Sequence, residues 1–164
     1  MQVHRHRFPD VRGYLHHREP YLLIDRVAAI EDDAVVCDTT LSGDEAFFRG
    51  HFPGAPVLPG ALMQEMTTQA AGVLIAANYN PMDRFDTSDP NHNQYALGVL
   101  VRVRSARYRG FARPGDALQI RATMMDRVDN LMEFKGSVSS GKRTLMQNRF
   151  QLSNILSSTL SGNA

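Results

Sequence analysis

Between residues 61 and 78 the chain reads ALMQEMTTQAAGVLIAAN, alanine-rich and free of proline. Leu62, Met66, Gln69, Val73 and Ala77 recur there at helical spacing. One long helix is predicted, with Pro59 just inside its start and Glu65 at the edge of the apolar stripe. On either side the period shortens. Residues 21–30 (YLLIDRVAAI) and 34–41 (AVVCDTTL) are rich in β-branched and apolar side chains around the acidic turn Glu31-Asp32-Asp33, which predicts a hairpin. Four further strands are predicted at Tyr95–Tyr108, Ala117–Val128, Leu131–Ser140 and Arg143–Leu152. The polar run 79–94 (YNPMDRFDTSDPNHNQ) reads as a long loop or mobile lid. The first ten residues and the tail SSTLSGNA are expected to fray. Antiparallel strands around a single apolar helix make an α+β arrangement. It is expected as one domain over 1–164, with its core at about 11–153.

Composition narrows the picture by exclusion. The chain is long enough to bury a substantial core, and a formal charge of +1 gives no global drive toward nucleic acid or membrane. Neither a basic patch interleaved with aromatics nor a nucleic-acid motif is visible. The opening MQVHRHRFPD lacks the apolar core of a signal peptide, and the apolar run Val73–Ala77 is too short to span a bilayer. A single cysteine, Cys37, rules out an intrachain disulfide and a cysteine-based zinc site. A soluble, cytoplasmic protein is expected.

The candidate chemistry lies in GHFPGAPVLPGALMQE, residues 50–65, where Pro53, Gly54, Pro56, Pro59 and Gly60 crowd together just before the helix. Such rigid turns can hold a side chain or a backbone amide in place, or simply start a buried helix. His51 and Glu65 bracket the stretch. Histidine exchanges protons near neutrality, and an apolar setting of Leu62, Met63 and Met66 is expected to favour the protonated form of Glu65. The pair suits a reaction that moves two protons on neighbouring atoms. Spacing alone leaves the plainer readings open: an exposed loop histidine, a glutamate at a helix start, and an ordinary helix residue at Gln69.

The longer stretch EAFFRGHFPGAPVLPGALMQEMTTQAAGVL (45–74) resembles the signature of the FabZ-type 3-hydroxyacyl-acyl-carrier-protein dehydratases. Upstream, HREPYLLIDRV (17–27) is similar to that family's HR-x-P-F-L-L-V-D-R-V segment. Downstream, ARYRGFARPGDAL (106–118) resembles its A-R-F-(K/R)…PGD-x-L segment. The resemblance implies a hotdog fold, a long central helix wrapped by a curved antiparallel β-sheet, and a homodimer, with a trimer of dimers as the larger assembly. It also implies that His51 of one subunit faces Glu65 of the other across an acyl tunnel. Carried over by position, His51 would remove or return the C2 proton and Glu65 would handle the C3 hydroxyl. The Gly60 amide would bind the thioester carbonyl, and Gln69 would orient Glu65. Phe52, Val57, Leu58, Pro59, Ala61 and Leu62 would line the tunnel. Arg102, Arg104, Arg107 and Arg109 would dock an acidic acyl-carrier protein. No metal or other cofactor is needed to eliminate water, and His4, His6, His16 and His17 are expected to be surface histidines.

The chain departs from the family pattern at His16, Gln64, Thr67, Thr68 and Arg102, and after the helix, where the connection is roughly ten residues longer than in compact members. The helix glutamate, in place of an aspartate, favours dehydration without double-bond migration. Two other readings compete: a hotdog acyl thioesterase and a non-catalytic acyl-binding hotdog protein.

Overall fold

The computed structural model describes residues 2–89 and 92–162. Six strands form one antiparallel sheet: β1 (Arg26–Ile30), β2 (Ala34–Thr40), β3 (Tyr95–Tyr108), β4 (Ala117–Val128), β5 (Leu131–Ser140) and β6 (Arg143–Leu156). Their order across the sheet is β1-β2-β4-β5-β6-β3. A short helix α1 (Ala46–Gly50) precedes the long helix α2 (Gly60–Asn78), and α3 (Ser157–Leu160) follows β6. The sheet curls around α2, giving the α+β hotdog architecture expected.

The helix is central because almost every side of it is apolar. From Met66 to Asn78 every residue is buried, so no polar face remains to present to water. Val73, Leu74 and Ile75 meet Phe134, Phe150, Leu152 and Ile120 of the sheet in one core. Burial alternates along most of β5 and β6, interrupted in β6 where Leu145 and Met146 are both buried, as expected for strands with one face on the helix and one outside.

The strand predictions for β3, β4 and β5 hold to the residue, and β6 runs four residues further than predicted. Two boundaries need correction. Strand β1 starts at Arg26 rather than near residue 21, because the backbone at 21–23 bonds to a helix side chain instead of a strand: the Leu23 N–H donates to Gln69 Oε1 and the Tyr21 carbonyl accepts from Gln69 Nε2. Pro59 is the residue before α2 rather than its first turn.

The N-terminal segment does not fray. His4 pairs with Asn80, His6 N–H donates to Ala77 O, and Arg7 donates to Ala77 O and Asn78 Oδ1. The last turn of α2 contains no basic residue of its own, so Arg7 supplies the cation that the carboxyl end of a helix favours. The connection after α2 is no open lid either. Met82 and Phe85 are buried in the core, and the Phe85 ring lies against Phe8, His6 and His16. Residues 90–91 of that connection and 163–164 of the tail lie outside the described residues, while 157–160 form the single turn α3.

Candidate active site

The Gly/Pro stretch builds a fixed perch for His51. The residue closes α1, its N–H donating to Phe47 O at 3.0 Å. Phe52 then takes a positive φ of 52°, a left-handed conformation that costs a non-glycine residue on the order of 1 kcal/mol. The chain turns back on itself, with Ala55 N–H donating to Phe52 O at 2.9 Å, and Leu58 N–H pins the loop to Ala112 O at 2.8 Å. This return places the Val57 carbonyl 2.9 Å from His51 Nδ1. A carbonyl only accepts, so in the neutral ring Nδ1 carries the hydrogen and the lone pair lies on Nε2. The prolines and glycines therefore fix both the position and the tautomer of His51.

Glu65 sits one turn into α2 with its side chain 16 % exposed. Gln69, 1 % exposed and four residues on, donates to Glu65 Oε1 at 3.0 Å. The same amide is anchored to Leu23 N–H at 2.9 Å and Tyr21 O at 2.7 Å. Glu65 opens onto a cavity of about 250 Å³, shared with His16, His17, Tyr21, Gly98 and Leu100. His17 Nε2 lies 3.8 Å from Glu65 Oε1. Burial pushes the His17 imidazole below its usual range, with the Glu65 charge opposing and Arg18 assisting. It is therefore neutral at pH 7, and its contact with Glu65 is dipolar rather than a salt bridge. The Tyr21 phenol is pushed up, first by partial burial and then by the neighbouring Glu65 carboxylate.

Gly60 opens α2, where its amide lies outside the intrahelical ladder. No side chain caps this end and no acid lies in the first turn, so its positive dipole is uncompensated. A Cβ at Gly60 would lie 3.1 Å from the Tyr108 ring, which packs against the helix start.

Comparison with known proteins identifies the family. The FabA-like domain family matches residues 15–149. The chain belongs to this family. It is 34 % identical over 128 residues to the 3-hydroxyacyl-[acyl-carrier-protein] dehydratase FabZ of Thiobacillus denitrificans, covering 77 % of this chain and 82 % of that protein. Identity to the FabZ of Xylella fastidiosa is 37 % over 123 residues, 74 % of this chain and 71 % of the relative. Among solved structures, the dehydratase heterocomplex ApeI:P from Xenorhabdus doucetiae superposes with a TM-score of 0.75 at 24 % identity, covering 96 % of this chain and 98 % of that one. A hypothetical thioesterase protein from Streptococcus pneumoniae with coenzyme A superposes at 0.57 with 13 % identity over 80 % of this chain and 85 % of its own, a likeness of fold alone.

Within one protomer His51 does not line the Glu65 cavity. The residues expected to line a tunnel are dispersed around the loop and helix start. Phe52 is 62 % exposed, Leu58 is buried, Ala61 is exposed, and Val57, Pro59 and Leu62 are partly buried. None of them borders the Glu65 cavity, nor a larger one of about 620 Å³ lined by Leu23, Phe47 and Met66 among others. The arginines fall in three places. Arg104 is taken up by Glu133 at 2.9 Å, which Arg149 also holds at 2.7 Å. Arg107 and Arg109 instead border a surface groove together with Lys135 and Arg149. Arg102 stands opposite Gln151 on the exposed strand. Among the described residues no cluster of three or more His, Cys, Asp or Glu side chains could hold a metal, and no helix is long and apolar enough to cross a membrane.

His16 and His17 require a correction. They are partly buried and border the Glu65 cavity rather than the surface expected of them. His17 and Tyr21 are the site residues that sequence reasoning missed. The signal was present in HREPYLLIDRV, whose chain direction after Pro20 is set by Gln69.

Proposed function

We propose that this protein removes water from 3-hydroxyacyl-acyl-carrier protein to give the trans-2-enoyl thioester, in fatty-acid or related lipid synthesis. His51 and Glu65 are the acid–base pair. His51 Nε2 takes the C2 proton as the C2=C3 bond forms and the C3–O bond breaks, and Glu65 protonates the departing hydroxyl to release water. The enolate-like charge that develops on the thioester oxygen is met by the Gly60 amide and the uncompensated start of α2. The observation that carries this reading is the His51 Nδ1–Val57 carbonyl contact, which puts the lone pair of the neutral ring on Nε2.

Since one protomer does not bring His51 into the Glu65 cavity, the active unit is a homodimer in which each site draws on both chains. Strand β3 supports this. It is fourteen residues long, forms the edge of the sheet, and exposes Leu100, Val101 and Val103. An edge of that length and character invites pairing. The exposed, strained Phe52 is a second surface suited to burial against a partner. Trimers of such dimers are the larger assembly. Arg107 and Arg109, with Lys135 and Arg149 beside them, supply the positive surface for an acidic carrier protein, and Arg102 extends it along the strand. Arg104, held by Glu133, contributes less. The enzyme is proposed to work in the cytoplasm.

The test follows enoyl-thioester absorbance with native protein, His51→Ala and Glu65→Gln. Each variant alone should lose roughly 10²–10⁴ of turnover. Co-expressed, the two inactive chains should regain about a quarter of native activity, because half of the dimers then contain one intact site of two. Turnover by either variant at the native rate would overturn the assignment of the pair. Failure of complementation in a confirmed mixed dimer would overturn the shared site.

A further inference from the structure

Besides Glu65, its cavity contains three titratable side chains for which the reaction above has no use, His16, His17 and Tyr21, and the last two are tied to the carboxylate and its Gln69 partner. We propose that Tyr21 and His17 are positioning residues for Glu65, holding its Oε1 within its own chain so that Oε2 faces the substrate. This rests on the reading of Glu65 as the acid of the dehydratase.

Two groups converge on the same carboxylate oxygen. Gln69 Nε2 donates to Oε1 at 3.0 Å, and His17 Nε2 is aimed at Oε1 from 3.8 Å. The carboxylate can only accept, so the neutral imidazole carries its hydrogen on Nε2. The other ring nitrogen, Nδ1, is buried without a partner. That leaves a lone pair unpaired, which costs less than an orphaned N–H. The separation of 3.8 Å is too long for a formed hydrogen bond, and such contacts commonly tighten when substrate binds.

Tyr21 is tied to this arrangement twice. Its carbonyl accepts from the same Gln69 amide that holds Glu65, so one side chain sets the spacing of both residues. Its ring stacks on His17 with centroids 5.6 Å apart and planes inclined by 28°. The phenol lines the same cavity as the carboxylate and, pushed up by partial burial and by Glu65, stays protonated at neutrality. A phenol can donate to Glu65 as carboxylate and accept from it as carboxylic acid. It therefore suits a partner that must hold Glu65 both before and after the proton leaves.

The experiment measures kcat, KM and the unfolding midpoint of the full-length protein as Tyr21→Phe, His17→Leu, His17→Gln and Glu65→Gln. Tyr21→Phe and His17→Leu should each lower kcat about tenfold while KM stays within about twofold. His17→Gln, which retains an N–H donor, should keep more than half of the native kcat. Tyr21→Phe should leave the unfolding midpoint in place, because the residue is 52 % exposed. A loss of kcat in Tyr21→Phe that tracks a lowered midpoint, or a rise in KM with kcat intact, would overturn the positioning role. Native kcat in both Tyr21→Phe and His17→Leu, with Glu65→Gln inactive, would sink this inference alone. Native turnover in Glu65→Gln would remove the reading beneath it.

Discussion

Replacing Gln69 by leucine is the sharpest probe of how the fold and the candidate site are joined. The side chain is almost completely buried and makes three hydrogen bonds: from Leu23 N–H at 2.9 Å, to Tyr21 O at 2.7 Å and to Glu65 Oε1 at 3.0 Å. Leucine is of similar volume, so no cavity opens and the cost comes from the partners left behind. The Leu23 amide lies in a buried contact, and orphaning it costs about 1–3 kcal/mol. The Tyr21 carbonyl and Glu65 carboxylate are partly accessible to water and add less, giving roughly 2–4 kcal/mol in all. For a chain of this length that lowers the thermal midpoint by roughly 10 °C. Activity should fall further than stability explains, since Glu65 loses the donor that fixes Oε1. The assay pairs urea unfolding with enoyl-thioester absorbance at a temperature where the variant remains folded. Wild-type stability in Gln69→Leu would show that segment 21–23 is held by its own packing, and the structural basis for linking Tyr21 to Glu65 would be lost.

Three further outcomes are expected. Gly136→Ala places a Cβ 2.3 Å from Asn148 Oδ1 and 2.8 Å from Thr67 Cβ, in the seam between β5, β6 and α2, so about 1–3 kcal/mol of stability should be lost in urea unfolding; a neutral result would mean the helix can shift away from the sheet. His16 and His17 are both held below the usual histidine value of 6.5, mainly by burial, so the unfolded chain binds protons that the folded chain refuses. Their contribution is complete above that value and is lost as pH falls below it. The thermal midpoint should therefore drop as pH falls below about 6.5, and His16→Asn should flatten that slope. Cys37 is fully buried with its thiol pushed up to about 12, so native protein should resist alkylation at pH 8 while unfolded protein reacts; rapid labelling of the native state would contradict its placement in the core.

Elements whose apolar period is local were legible in the sequence. Strands β3, β4 and β5 and the body of α2 alternate or repeat strongly enough that neighbouring residues fix their limits. What escaped was set by side chains reaching across the chain. Residues 21–25 have strand-like composition but no strand, because Gln69 takes the hydrogen bonds at Tyr21 and Leu23, and Asp25 Oδ2 accepts Thr40 N–H. The N-terminus looked free because its anchors, Ala77, Asn78 and Met82, lie about seventy residues away. The same separation hid the surroundings of Glu65. His51 could be singled out from GHFPG because the turns that fix it are contiguous with it, whereas His17 and Tyr21 reach the carboxylate only through a tertiary contact 44–48 residues away in sequence. A local motif thus marks where proton transfer is proposed, and the groups proposed to orient it are recovered only once Gln69 is seen to hold Tyr21 and Glu65 at once.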